Sequence, residues 1–145
     1  MNIIDEVKEY WGWAGINPVE IVAESEFANL ILKDDEDKFW RLCPEDVYCK
    51  VIANSIYEYN KLIHDDEFLN DWNMVVMVNE AIERLGMLEE GHKYYMVIPG
   101  VVDGEYGGIN VKSASFTKII RFSGELGRKI KKLPDGAEIQ FTPLE

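Results

Sequence analysis

The segment covering residues 27–53 constrains the fold most, because its apolar runs flank a single acidic turn. The runs at residues 30–32 and 39–40 lie on either side of four consecutive carboxylates, Asp34, Asp35, Glu36 and Asp37. Short apolar runs bounded by turn-forming residues predict strands, so this segment predicts a hairpin with an acidic tip. Pro44 begins another turn, and a third short strand is expected near residues 47–52. We expect these strands to form one antiparallel sheet.

The rest of the chain alternates between helical and strand periodicity. Apolar residues at helical spacing predict helices at residues 3–11, 54–64, 66–85 and 115–132. Further strands are predicted at residues 19–23, 94–98, 109–114 and 137–141. On these patterns Trp40 and Trp72 are expected to face the core. The order of elements predicts an α+β fold, in which helices pack on one face of a mainly antiparallel sheet and residues 1–145 form a single domain.

The formal net charge of −12 is unevenly distributed. Residues 1–111 contain 23 acidic and 8 basic side chains, whereas residues 112–132 contain 7 basic side chains and Glu125 as their one acid. A negative surface disfavours nucleic acid, whose phosphates require Lys and Arg, and favours a cationic protein partner. Such a surface also serves simple solubility, so charge alone leaves both interpretations open.

The basic face of the helix at 115–132 has two interpretations. Cations near a helix C-terminus are stabilised by the helix dipole, which is the ordinary explanation for Lys129, Lys131 and Lys132. Alternatively, this face docks on the acidic surface of a second copy and forms a homodimer.

The chain contains few groups suited to catalysis. Neither of its histidines, His64 and His92, has a second metal ligand at a recognisable spacing. The six-residue separation of Cys43 and Cys49 fits neither a redox pair nor a zinc knuckle, so both are predicted to be buried thiols. The acidic tip lacks the spacing of a calcium loop, and no nucleophile elbow or phosphate-binding glycine loop is present. We therefore predict no catalytic residue, no cofactor and no metal.

Three polar segments are candidate partner-binding sites. The first is the acidic tip, for which a solvated turn is the alternative. The second consists of Asp65, Asp66 and Glu67, for which helix capping is the ordinary explanation. The third is a glycine-containing loop with Asp103, Glu105 and Tyr106, where the aromatic ring is of the kind enriched at interfaces and a structural turn is the alternative.

The N-terminal residues do not resemble a secretion signal. They contain acids where a signal peptide needs a basic region followed by an apolar run. No stretch approaches the roughly 18 apolar residues of a membrane span. We therefore expect a cytoplasmic protein without a membrane partner.

Four segments resemble bacterial immunity proteins of the Tdi type, which protect cells from DNase and other toxins delivered by type VI secretion. They are residues 29–31 (NLI), 40–46 (WRLCPED), 104–108 (GEYGG) and 134–136 (PDG). The resemblance extends from about residue 11 to residue 141. It implies a non-catalytic protein that binds and neutralises a cognate effector toxin, with the identity of the toxin left open. The alternatives are an enzyme that reverses a toxin's modification, such as a hydrolase, and a nonenzymatic scaffold or regulatory domain.

Overall fold

The computed structural model describes residues 2–144, which form two antiparallel sheets and the helices packed on them. The larger sheet has the order β1 (Pro18–Glu24), β2 (Leu30–Asp34), β3 (Phe39–Cys43) and β4 (Tyr48–Ala53). The smaller sheet pairs β5 (His92–Met96) with β6 (Val111–Ser115). The helices are α1 (Ile3–Trp11), α2 (Ile56–Leu62), α3 (Asp66–Asn73), α4 (Val75–Leu85) and α5 (Phe116–Lys131). The predicted α+β class and the predicted acidic hairpin are both confirmed.

Helices lie on both faces of the larger sheet, whereas the sequence predicted helices on one face. Successive strand residues point to opposite faces, and β2 is buried on both. Leu30 and Leu32 face the core formed with α1 and α5. Ile31 faces the other way and packs with Phe39 and Tyr59, beneath α2 and α3. A continuous apolar run such as residues 30–32 therefore marks a strand covered on both sides.

Helices α1 and α5 pack closely against each other through buried side chains. Trp11 is fully buried and its Nε1 donates a hydrogen bond to the carbonyl oxygen of Ile120 at 3.0 Å. Arg121 of α5 donates two hydrogen bonds of 2.7 Å to the carboxylate of Glu6, one to each oxygen. Gly124 allows this approach, since a Cβ there would lie 2.4 Å from the carbonyl oxygen of Tyr10.

Two further sequence predictions need correction. The helix predicted at 66–85 is broken at Met74, whose left-handed conformation (φ 46°, ψ 44°) ends α3 and begins α4. The strand predicted at 137–141 is wrong, because residues 137–144 have no regular secondary structure. Their apolar side chains pack against the main core instead, with the ring of Phe141 centred 6.1 Å from that of Phe122.

Within residues 2–144, no helix is both long and apolar enough to cross a lipid bilayer.

Candidate functional site

The acidic tip contains one buried carboxylate and three exposed ones. Asp34 is 5% exposed and accepts hydrogen bonds from the backbone amides of Glu36 and Lys38, both at 2.9 Å, and from Trp40 Nε1 at 2.8 Å. Burial opposes ionisation of Asp34, but these hydrogen bonds outweigh it and hold the pKa of the carboxyl below its usual value. The buried carboxylate of Asp34 therefore stabilises the backbone of the turn through these hydrogen bonds.

The other three tip residues, Asp35, Glu36 and Asp37, are exposed at one end of β2 and β3. Asp35 accepts a hydrogen bond from Asn17 Nδ2 at 3.0 Å, and Asp37 lies 3.3 Å from Lys33 Nζ. Both contacts are at the surface, where an ion pair contributes little to stability. The tip therefore presents three carboxylates to solvent.

The second acidic segment begins α3. Asp65 Oδ1 accepts a hydrogen bond from the backbone amide of Phe68 at 3.0 Å, which confirms the predicted helix cap. Asp66 and Glu67 are exposed in the first turn, where negative charge is stabilised by the helix dipole. The segment therefore caps α3, and the carboxylates of Asp66 and Glu67 remain accessible to a partner.

The third segment is tied to the rest of the molecule through its tyrosine. The hydroxyl of Tyr106 donates to Oδ1 of Asp46, and this bond raises the pKa of Tyr106, so the hydroxyl remains a donor. Asn110 Nδ2 donates to the carbonyl oxygen of Glu105 at 2.7 Å. Asp103 and Glu105 are exposed, and Asp103 has a left-handed backbone (φ 68°). The loop is thus a structured turn with its polar side chains facing outward.

The structure places the acidic tip and the loop with Tyr106 in different parts of the molecule. The acidic tip joins β2 to β3 at one end of β3, whereas Asp46 and Tyr106 lie beyond the other end. Five residues of strand separate these ends by roughly 17 Å. Asp65 caps the start of α3, and about 12 Å along this eight-residue helix its other end carries Asp71, which pairs with Arg41 of β3.

A cleft of about 290 Å³ lies between Tyr106 and the junction of α3 with α4, and the sequence analysis did not identify it. We call it the α3–α4 cleft. Its lining includes Arg41, Glu45, Asp46, Asp71, Val76 and Tyr106. It therefore contains charged, aromatic and aliphatic side chains from three separate stretches of the chain, residues 41–46, residues 70–77 and Tyr106.

The floor of the α3–α4 cleft is a buried hydrogen-bond network centred on Asn29. Arg41 Nε donates to Asn29 Oδ1 at 3.0 Å, and Asn29 Nδ2 donates to the two carboxylate oxygens of Glu45 at 2.8 and 3.0 Å. Arg41 also pairs with Asp71, and its guanidinium carbon lies 5.3 Å from the centre of the Trp72 ring. Burial raises the pKa of Glu45. The network fixes both charged side chains and connects β3 to α3.

Two sequence signals pointed to this floor. Arg41 interrupts an apolar strand, and Glu45 follows Pro44 directly after that strand. Charged residues are rarely fully buried unless they are paired, so an arginine inside such a strand predicts a buried partner. Residues 40–46 carried part of the family resemblance and predicted a turn, but no contact was predicted for Arg41 or Glu45.

One group of side chains near the cleft has the donor types of a metal site. Ligand atoms of Cys43, Glu45 and Asp46 lie within 4.8 Å of one another. However, burial raises the pKa of the Cys43 thiol, and a thiol binds metal as the thiolate. Both oxygens of Glu45 already accept hydrogen bonds from Asn29. This group therefore does not fit a metal ion as it stands.

One family model matches this chain. It is described as "T6SS immunity protein Tdi1, C-terminal" and covers residues 53–127, which include α2 to α4, the loop with Tyr106 and most of α5. Of the four segments that carry the sequence resemblance, residues 104–108 lie inside this range and the other three lie outside it. No curated protein and no solved structure matches the chain.

Proposed function

This chain belongs to the family of type VI secretion immunity proteins described as Tdi1, C-terminal, and from that premise we propose that it binds and neutralises a cognate effector toxin in the cytoplasm. It acts by stoichiometric protein contact and has no catalytic turnover. The toxin is a cationic protein, such as a nuclease.

The exposure of the acidic segments carries this proposal. Nine of the ten candidate partner-binding residues are exposed, and Asp34 is the exception. Acidic side chains on three separate surface segments give the protein a broad negative surface, as the net charge of −12 requires. A nuclease has a positive surface that binds DNA phosphates, and carboxylates of an inhibitor would occupy it in their place.

The state of the two cysteines supports a role without catalysis. Both are buried and free, and burial raises the pKa of Cys49 to about 12 and that of Cys43 further. A thiol acts as a nucleophile only as the thiolate, so neither is activated at neutral pH.

Titration of the toxin with this protein distinguishes a binder from an enzyme that reverses toxin damage. A binder abolishes toxin activity at about one immunity chain per toxin, whereas an enzyme protects at a small fraction of that ratio. Protection at substoichiometric amounts, or turnover of an ADP-ribosylated substrate, would contradict the proposal.

Charge reversal of the acidic tip tests the binding surface. The variant Asp35→Lys, Glu36→Lys, Asp37→Lys retains Asp34, which builds the turn, and should fold normally. We expect its association rate with the neighbouring gene's toxin to fall tenfold or more at low salt. The difference should fade at high salt, because the Debye length is about 3 Å at 1 M.

The matched control reverses three exposed acids outside the candidate segments, Glu83, Glu89 and Glu90. It changes the net charge by the same amount as the tip variant. A difference between the two variants therefore reports the position of the charges and not the total charge. If the tip variant binds and protects like the parent at low salt, the tip is not a contact surface, and the loop with Asp103, Glu105 and Tyr106 is the better candidate.

The segment Asp65, Asp66 and Glu67 is tested in the same way. Lysine at all three positions removes the cap of α3, so the capping role predicts lower stability with unchanged association. A slower association in the folded variant would instead place these carboxylates at the interface. Failure of the parent protein to bind the toxin in a pull-down would refute the proposed function itself.

The basic face of α5 supports a homodimer as a second assembly. Arg121 is used internally by Glu6, and Lys131 Nζ donates to the carbonyl oxygen of Trp13 at 3.0 Å. Lys118, Arg128 and Lys129 remain exposed. Sedimentation velocity at low and high salt tests the dimer, which should dissociate as salt rises if charge holds it together.

A further inference from the structure

We infer that the α3–α4 cleft receives a lysine or arginine side chain of the toxin together with an apolar residue beside it. This inference rests on the proposed function and names the surface and the chemistry of one contact. It differs from the acidic tip, which lies at the far end of β3.

The charge at the cleft calls for a cation. Asp71 is paired with Arg41, whose guanidinium is buried and also donates to Asn29. Asp46 differs, because within residues 2–144 no lysine or arginine lies in salt-bridge range of it. Its contacts are the Tyr106 hydroxyl and the thiol of Cys43 at 3.8 Å. Asp46 thus lacks a cationic partner within residues 2–144, and a cation of the toxin would supply one.

The same cleft exposes an aliphatic surface. Val75 and Val76 form the first turn of α4 and are 58% and 79% exposed. Within that turn Met77 and Val78 pack against the buried cluster around Tyr94, whereas Val75 and Val76 remain mostly uncovered. A partner with the long aliphatic stem of lysine or arginine, or with an apolar neighbour, would cover these valines.

The cleft is held in shape before any partner arrives. Asn29 fixes Arg41 and Glu45 in the floor, and Asp46 holds the ring of Tyr106 at the rim. A surface whose side chains are already ordered loses less conformational entropy on binding. Tyrosine and arginine are also among the residues that contribute most at interfaces. The ordered floor and rim therefore favour tight binding at this site.

The basic helix α5 of a second copy fits the cleft less well than a toxin. No residue of Phe116–Lys131 is a large apolar side chain with high exposure. That helix would supply cations for Asp46 but little to cover Val75 and Val76. The partner that fits the cleft has a cationic side chain and an exposed apolar side chain next to each other.

The variant Val76→Arg tests the inference. It places a bulky cation where the toxin's cation should bind, and the 79% exposure of Val76 predicts little effect on folding. The matched control is Met87→Arg, since Met87 is 78% exposed and does not line the cleft. With the purified toxin domain encoded by the neighbouring gene as probe, we expect Val76→Arg to weaken affinity about 30-fold or more. Met87→Arg should change it less than about threefold.

A second variant, Asp46→Asn, tests the charge separately. Asparagine can still accept the hydrogen bond from Tyr106, so the loop should keep its position. We expect a lower association rate and a smaller dependence of affinity on salt. Affinity and salt dependence equal to those of the parent would overturn the cationic part of the inference, even if Val76→Arg proved unstable.

The outcomes separate the inference from the function on which it rests. Normal toxin binding by both the parent and Val76→Arg overturns the inference and leaves the proposed function standing. If Val76→Arg instead abolishes self-association of the free protein and leaves toxin binding intact, the occupant is a second copy and the inference is wrong. No binding by the parent refutes the proposed function first.

Discussion

The helices of this protein form two groups that differ in how much of their surface is buried. Helices α1 and α5 bury large parts of their surface, including Trp11 and Ile120. Across α2, α3 and α4, the buried residues are Tyr59 and Ala81. The first pair therefore provides stability, whereas the second group leaves side chains free for contact with another molecule.

Two buried glutamates show the same contrast. Glu6 lies between α1 and α5, and its hydrogen bonds from Arg121 hold the pKa of its carboxyl below the usual value. Glu45 lies under the α3–α4 cleft, where it receives hydrogen bonds from the neutral amide of Asn29 and burial raises its pKa. A full ionic partner satisfies the first carboxylate. The second has only a neutral hydrogen-bond donor, so no ionic partner offsets its burial.

The largest expected effect compares two tryptophans. Trp11→Ala removes a fully buried ring with a buried hydrogen bond, so we expect a loss of about 3–5 kcal/mol in the free energy of unfolding. Trp72 is only half-buried beside Arg41, so Trp72→Ala should cost less, about 1–3 kcal/mol. Denaturant unfolding measures both. Equal losses would contradict the contrast between the two groups of helices.

A smaller effect is expected from the close approach of α1 and α5. Gly124→Ala places a methyl group 2.4 Å from the carbonyl oxygen of Tyr10, and overpacking of this kind costs about 1–3 kcal/mol. Gly12→Ala is the control, because a Cβ there meets no atom within 4 Å and φ is −57°. The control should be neutral or slightly stabilising. If Gly124→Ala leaves the melting temperature unchanged, the two helices are less tightly packed than the structure indicates.

The third prediction concerns the weakly buried helices. Asp65→Ala removes the N-cap of α3 and should cost about 1 kcal/mol, with toxin binding retained. Hydrogen exchange should show the loss as faster exchange in α3, while the amides of α5 keep their protection. Equal loss of protection in α5 would mean that the two groups of helices unfold together.

The smallest effects are the pH dependences of the two glutamates, which should have opposite signs. The stability that Glu6 contributes is present above its unfolded pKa of about 4.5 and is lost as pH falls through its lower folded value. Glu45 has a raised folded pKa, so protonation stabilises the fold as pH falls from neutral toward 4.5. Relative to Glu6→Gln the parent should lose stability on acidification. Relative to Glu45→Gln it should gain stability, and the same sign for both would refute this assignment.

Local signals in the sequence were sufficient for much of the fold. The predicted helices at 3–11 and 115–132, the hairpin and the helix end at residue 85 all rest on residue spacing, capping and turn chemistry, which act over a few positions. The break at Met74 was missed, because a left-handed methionine has no sequence signal comparable to glycine. The strand predicted at 137–141 failed because its alternating apolar residues pack on the core without a strand partner.

The candidate site likewise combines features that the sequence predicted with features that only the structure revealed. The sequence by itself determined the negative charge, the acidic tip, the cap at Asp65 and the tyrosine loop, because these depend on composition and on neighbouring residues. Only the tertiary structure decided that Asp34 is buried, that helices cover both faces of the larger sheet, and that Asn29, Arg41 and Glu45 meet beneath Val76 and Tyr106. Those contacts join residues from distant parts of the chain. Their geometry depends on how the sheet and helices pack, which no local pattern specifies.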